Sequence, residues 1–193
     1  MKKLILLAFM FIISMDAQAQ EGYENLPEIK KLIKVLNQNS IKCLTQKNLK
    51  FCKEGKKPKG KGTGWCYMYV KIGLFKSGMT SQYIGGGSAK NAGPYLEKEG
   101  FVNILKTGNY TPVNIPKGSI LVYSKTFSPH GHIEVKVDES KYASDYIRSQ
   151  TKGILTGIYI KKIKKKKKSV LTEVFLRVPK EKEDELVTSP NRE

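Results

Sequence analysis

The spacing of apolar residues divides the chain into a helical first part and a strand-rich second part. Apolar residues at helical spacing predict one helix over residues 20–41, with Pro27 in its first turn. A second helix is predicted to begin near Cys66, and a short one over residues 88–99, interrupted at Pro94. The apolar positions of the first helix are Leu26, Ile29, Leu32, Ile33 and Leu36.

After Gly100 the apolar period changes from that of a helix to that of a strand. A turn at residues 116–118 introduces the first β-rich segment. Strands are predicted at residues 120–123, 131–137, 142–147, 154–163 and 169–178. Helices followed by strands are typical of an α+β domain, so we expect N-terminal helices packed on an antiparallel sheet.

The N-terminus has the three parts of a secretory signal peptide. Two lysines follow Met1, residues 4–15 are apolar, and Ala17-Gln18-Ala19 fits a cleavage site. The apolar run is too short for a membrane span. We therefore expect cleavage after Ala19 and a secreted or periplasmic protein, the alternative being an uncleaved amphipathic segment.

The remaining 174 residues suffice for one domain with its own core. We expect an N-terminal helix and a Lys/Gly/Pro-rich loop over residues 20–59, and the main domain over residues 60–179. The charged tail, residues 180–193, has no core pattern and is predicted to be disordered.

The chain is strongly basic, with a net charge of +18, or +17 without the signal peptide. Such a field favours an anionic partner: a wall polymer, lipopolysaccharide, lipid headgroups or extracellular nucleic acid. The run Lys161–Lys168 is predicted to be a solvated hairpin tip, with a binding patch as the alternative. No aromatic residues interleave these lysines, so we expect no nucleic-acid partner.

The odd number of cysteines leaves two interpretations open. Cys43 and Cys52 lie nine positions apart and could form a disulfide in an oxidising compartment, which would leave Cys66 free. Alternatively all three are reduced, and Cys66 is a small buried hydrophobic residue.

Both histidines lie in one strand-like segment. On a strand, His132, Glu134 and Lys136 share a face, and the aliphatic residues between them share the other. The aliphatic face must point into the core, so we expect His132 to face a surface or cleft. With His130 it could bind zinc, but only with a third ligand such as Cys66, and no HExxH or CxxC motif is present.

A Cys–His pair explains more of the sequence than a zinc site. Gly62 to Cys66 form a glycine-rich approach to a predicted helix start, where the helix N-terminus and an imidazolium lower a thiol pKa. A third polar group should orient the imidazole of His132. Asp145 is our choice, and Glu134 and Ser144 are alternatives.

Three segments in this order resemble the CHAP and NlpC-type peptidoglycan hydrolases. They are GWCYMYV at residues 64–70, PKGSILVY at residues 116–123 and GHIEV at residues 131–135. They are similar to that family's nucleophile helix, the strand before its histidine and its Gly-His strand, and the resemblance covers about residues 60–150. The sequence departs from the family at Ser119, where an acidic residue is usual, and at Trp65 before the cysteine.

The resemblance implies a papain-like fold that hydrolyses amide bonds in the stem peptides or crossbridges of peptidoglycan. Cys66 would be the nucleophile, His132 the general base and Asp145 the orienting residue. No side chain matches an oxyanion hole, so backbone N–H groups at the helix start would serve. We further expect substrate contacts from Trp65, Tyr67 and His130.

The sequence therefore predicts an exported, monomeric cysteine hydrolase of peptidoglycan that needs no metal or cofactor. It does not identify the bond cleaved. Two alternatives remain: a cysteine protease or toxin acting on proteins through the same residues, and a non-catalytic basic binder of wall polymer or lipopolysaccharide.

Overall fold

The computed structural model describes residues 22–44, 52, 61–124, 128–149 and 153–162. The predicted signal peptide, most of the basic loop, the strand predicted at residues 169–178 and the charged tail lie outside them. Within these ranges, no helix is long and apolar enough to cross a membrane.

The structure describes three α-helices close to the predicted positions, but the first of them begins later than predicted. Residues 22–24 form a separate helical turn, and the long helix begins at Pro27, not at residue 20. Helix α1 spans Pro27–Ser40, α2 spans Cys66–Ser77 and α3 spans Gly93–Lys98, with a 3₁₀ turn at Ala89–Asn91 before α3. Pro94 lies in the first turn of α3. Because a first-turn proline loses no intrahelical hydrogen bond, Pro94 begins a helix and does not interrupt one.

The described strands form one six-stranded antiparallel sheet, which confirms the α+β prediction. The strands lie in the order β1-β6-β2-β3-β4-β5. Their bounds are Phe101–Asn103 (β1), Ile120–Ser124 (β2), His132–Asp138 (β3), Lys141–Ala143 (β4), Ile147–Arg148 (β5) and Ile154–Lys161 (β6). The strand predicted at residues 142–147 is thus two strands, and β1 was not predicted.

One face of the sheet packs against the helices. Ile29, Leu32 and Leu36 of α1 are fully buried in the same apolar cluster as Val70 and Leu74 of α2. The sheet contributes Ile120, Val122, Ile133, Val135 and Val137 to this cluster. The aliphatic face of β3 therefore points into the core, as the alternation of the strand predicted.

The opposite face of the sheet is also covered, which corrects the expected exposure of that side of β3. Ile104 and Ile115 pack on it with the inward side chains of three strands. Lys136 is 2% exposed, and its ammonium donates to the carbonyl oxygens of Val113 (2.6 Å) and Ile115 (2.8 Å). Glu134 is also fully buried. Of the three residues on this face of β3, only His132, at the start of the strand, lines a cavity.

The structure resolves the cysteine question. Cys43 and Cys52 are joined by a disulfide, and Cys66 is a free thiol. The Tyr69 hydroxyl of α2 donates to the carbonyl of Lys42 at 2.6 Å, beside the disulfide. The segment that follows α1 is therefore attached to the same helix that begins with Cys66.

Replacing Leu36 with Ala should destabilise the fold, because it removes a fully buried side chain between the helices and the sheet. We expect the free energy of unfolding to fall by about 2–5 kcal/mol. Urea denaturation followed by circular dichroism measures it. The control is Ile41→Ala, since Ile41 is 67% exposed just beyond α1. An equal loss in the two variants would contradict the packing described.

Candidate active site

A cavity of about 720 Å³ lies beside the start of α2. The first turn of α2, the glycines that precede it, residues 128–132 and residues 145–148 contribute to its walls. All six site residues predicted from the sequence line it: Cys66, His132, Asp145, Trp65, Tyr67 and His130. The fold therefore brings together residues that are up to 80 positions apart in the sequence.

Cys66 is the first residue of α2, as predicted, but its pKa moves in the opposite direction from the one expected. Burial disfavours the thiolate and raises the pKa of Cys66 to about 11, and the charge of Asp145 acts in the same direction. The nearby backbone of Ile133 and Tyr67 and the charge of Arg148 favour the thiolate, but they only partly oppose the rise in the thiol pKa. The resting thiol is therefore neutral at physiological pH.

His132 begins β3 and is nearly buried, with 8% of its surface exposed. Its position depends on Gly131, which has φ +68° and approaches β2 closely. A Cβ on Gly131 would lie 2.3 Å from the carbonyl oxygen of Tyr123, so only glycine fits there. This contact gives a physical reason for the Gly-His pair in the sequence.

A buried carboxylate orients the imidazole. Nε2 of His132 lies 3.2 Å from Oε2 of Glu134, and the same oxygen accepts a hydrogen bond from Nε of Arg148 at 3.0 Å. Since Nε2 faces Glu134, Nδ1 is the nitrogen left to face a reacting group. Among the described residues no hydrogen bond joins Cys66 to His132; such bonds often tighten only when substrate binds.

No hydrogen bond joins Asp145 to His132 among the described residues, and the alternative Glu134 makes the contact that was expected of Asp145. Oδ2 of Asp145 instead accepts hydrogen bonds from the backbone N–H and hydroxyl of Thr63 and from the N–H of Gly64 at 2.9 Å. Its other oxygen accepts from the Ser144 hydroxyl at 3.1 Å. Asp145 thus holds the loop that leads into Cys66.

The glycine-rich approach is shaped by this contact. A Cβ on Gly62 would come within 2.8 Å of the Tyr146 ring and 3.0 Å of Asp145 Oδ2. The loop therefore lies directly against the segment that carries Asp145. The spacing Gly-Thr-Gly before the cysteine reflects that close approach.

The three residues expected to contact substrate differ in exposure. Trp65 is 48% exposed at the cavity rim, and His130 is exposed. Tyr67 is 5% exposed, and its hydroxyl donates to the carbonyl oxygen of Gly85 at 2.9 Å. Trp65 and His130 thus offer free side-chain surface, whereas Tyr67 also supports the cavity wall.

Sequence reasoning missed Arg148, Thr63 and Lys71, all of which bear on this site. A buried acid on a central strand requires a cationic partner, and that requirement could have indicated Arg148 once Glu134 was recognised as buried. Thr63 lies between the two glycines of the approach loop, where its N–H can reach a carboxylate. Nothing in the sequence pattern distinguished Lys71 from the other lysines.

The described residues contain no group of three His, Cys, Asp or Glu side chains arranged to hold a metal ion. The zinc interpretation would require a third ligand beside His130 and His132. Nε2 of His132 lies against Glu134, so only its Nδ1 could face such an ion.

Known proteins offer only weak similarity to this chain. No protein-family model and no curated protein matches the sequence. A chain of the type VI native effector-immunity complex Tae3-Tai3 from Ralstonia pickettii is 20% identical, with 71% of this chain and 100% of that chain covered and a TM-score of 0.47. The selenomethionine form of that complex gives 21% identity, 61% and 80% coverage and a TM-score of 0.40. These values are too low to carry an argument.

Replacing Asp145 with Asn should destabilise the protein, because Asp145 is buried and its charge receives hydrogen bonds from the loop. We expect the free energy of unfolding to fall by about 2–3 kcal/mol. The matched variant Asp138→Asn removes an exposed carboxylate paired with Lys141 and should leave the free energy of unfolding nearly unchanged. Equal effects in urea denaturation would refute the assigned role.

Alkylation of Cys66 by iodoacetamide should follow the raised thiol pKa. Because the thiolate is the reactive form, the rate should rise about tenfold per pH unit from pH 7 to pH 10 without a plateau. Mass spectrometry of the modified peptide measures the rate, and the urea-unfolded protein is the control. A plateau below pH 7 would show instead that the folded protein holds a preformed thiolate.

Proposed function

We propose that this protein is an exported cysteine hydrolase with a papain-like fold that cleaves amide bonds in peptidoglycan stem peptides or crossbridges. One observation carries the proposal: a free thiol at a helix start shares a cavity with a histidine whose far nitrogen is held by a buried carboxylate. These are the nucleophile, general base and orienting group of covalent amide hydrolysis.

The chemistry follows from the arrangement of these groups. As the Cys66 sulfur attacks the amide carbonyl carbon, Nδ1 of His132 accepts the thiol proton. The tetrahedral intermediate collapses, the C–N bond breaks, and His132 returns the proton to the leaving amine. His132 then removes a proton from water as the water oxygen attacks the thioester carbon. The C–S bond breaks, the acid is released, and His132 returns the proton to the Cys66 sulfur.

Two features of the site would assist these reaction steps. Glu134 stabilises the imidazolium that forms when His132 takes the proton, and Arg148 keeps Glu134 in place. The first backbone N–H groups of α2 have no partners within the helix, so they are suited to stabilise the oxyanion. Because the pKa of Cys66 is raised, the enzyme without substrate would hold no thiolate–imidazolium pair, and the thiol proton would move to His132 during attack.

The choice of substrate rests on export and charge. The predicted signal peptide would deliver the protein to the compartment of the cell wall, and its net charge of +18 favours an anionic polymer. Lys71 lines the cavity and has no carboxylate partner among the described residues, which would suit an acidic group of a stem peptide.

A non-catalytic binder of wall polymer is the second candidate, and one observation favours it. Burial keeps Cys66 neutral, as in a structural thiol. In that case the lysines would provide the affinity, and loss of the thiol would have no effect on binding. The buried His132–Glu134 pair has no evident purpose in a binder, so we prefer the hydrolase.

Digestion of purified peptidoglycan by the mature protein should release fragments identifiable by mass spectrometry. We expect Cys66→Ala and His132→Ala each to lower the rate by about 10³-fold or more, because the nucleophile and base act as a unit. The fragments would also identify the bond that is cleaved.

The control for this digestion is Ser81→Ala, which removes an exposed hydroxyl outside the cavity and should retain full activity. Full activity in Cys66→Ala would end the proposal. No release by any variant, together with wall binding by all of them, would favour the binder.

A further inference from the structure

Lys71 is a buried cation on the same helix as Cys66. It is 8% exposed, and its side chain lines the cavity. Its ammonium lies 4.3 Å from the centre of the Tyr67 ring and 5.3 Å from that of Tyr83, and it donates to the carbonyl oxygen of Gly86. Two aromatic rings and a carbonyl thus hold the charge at one place in the wall.

The surroundings of this ammonium contain no opposite charge. Among the described residues no carboxylate forms an ion pair with Lys71 within 4.0 Å, although an ammonium offers three donors. A buried charge without a counter-ion is costly, and burial lowers the pKa of Lys71 accordingly. An anion that enters the cavity would supply the missing partner and gain a charge-assisted hydrogen bond.

We propose that Lys71, with Tyr67 and Tyr83, forms a subsite for a carboxylate of the peptide substrate. The proposal rests on the proposed function for the identity of that peptide. Cys66 and Lys71 are five residues apart, or about 7.5 Å along the helix axis. Because residues five apart also point about 140° away from each other around the helix, this rise is a minimum separation, and two residues of an extended peptide span it. The carboxylate recognised would therefore lie at least two residues from the scissile amide.

Binding to the inactive Cys66→Ala protein tests this subsite without turnover. Isothermal titration would use a soluble stem-peptide fragment with free carboxyl groups and the same fragment with carboxamides. We expect the carboxylate form to bind about tenfold more tightly, or better, because a hydrogen bond to a charged group is at stake. Adding Lys71→Met should remove most of that preference, whereas Lys71→Arg should keep part of it.

The matched control is Lys76→Met, since Lys76 is an exposed lysine on the same helix outside the cavity. It should keep the full preference, and circular dichroism checks that each variant is folded. Equal binding of the two fragments, no binding of either, or a preference that survives Lys71→Met would each overturn the subsite.

The subsite and the hydrolase can fail separately. A carboxylate preference that depends on Lys71, found with a protein that releases nothing from peptidoglycan, would support the subsite and overturn the proposed catalysis. Release of fragments without a carboxylate preference would support the proposed catalysis and overturn the subsite.

Discussion

The buried carboxylate of Glu134 is the group on which the candidate site depends. Placing a charge in a sheet covered on both faces costs several kcal/mol unless partners offset it. Here Nε of Arg148 and Nε2 of His132 both approach one oxygen of Glu134. The need to satisfy one carboxylate therefore joins a short outer strand to the central strand and fixes the direction of the imidazole at the same time.

Asp145 has a similar part on the other side of the cavity. Its carboxylate collects the N–H groups of the loop before α2 and so determines where that helix begins. The two acids contact different parts of the site: Glu134 contacts the imidazole of His132, and Asp145 binds the loop that leads into Cys66. Of the two full cations that line the cavity, Arg148 is paired with Glu134, and Lys71 lies on the helix that begins with Cys66.

The sequence predicted the helices and the longer strands because their apolar periods are local. It also singled out Cys66 and His132, which line one cavity, and it left the disulfide between Cys43 and Cys52 as one of two open interpretations. It did not predict β1, because a three-residue strand has too little pattern and pairs with β6 more than fifty positions later. Nor could it choose between Glu134 and Asp145, since both lie near His132 in sequence and only the covering of the second sheet face decides which acid reaches the ring.

The thiol pKa was mispredicted for a related reason. A helix start and a nearby histidine both favour the thiolate, but the depth of Cys66 against β3 outweighs them. Burial of this kind depends on how helix and sheet pack, which no local pattern reveals. Under the proposed function, a neutral thiol would give up its proton to His132 during attack.

The central claim is that Cys66 forms a covalent thioester with the substrate. Brief incubation of the protein with stem peptides, followed by acid quenching and peptide mass spectrometry, tests it most directly. The account predicts an acyl group on the peptide that contains Cys66, which hydroxylamine removes. Released fragments without any adduct at Cys66, on a time scale that resolves the first turnover, would contradict it.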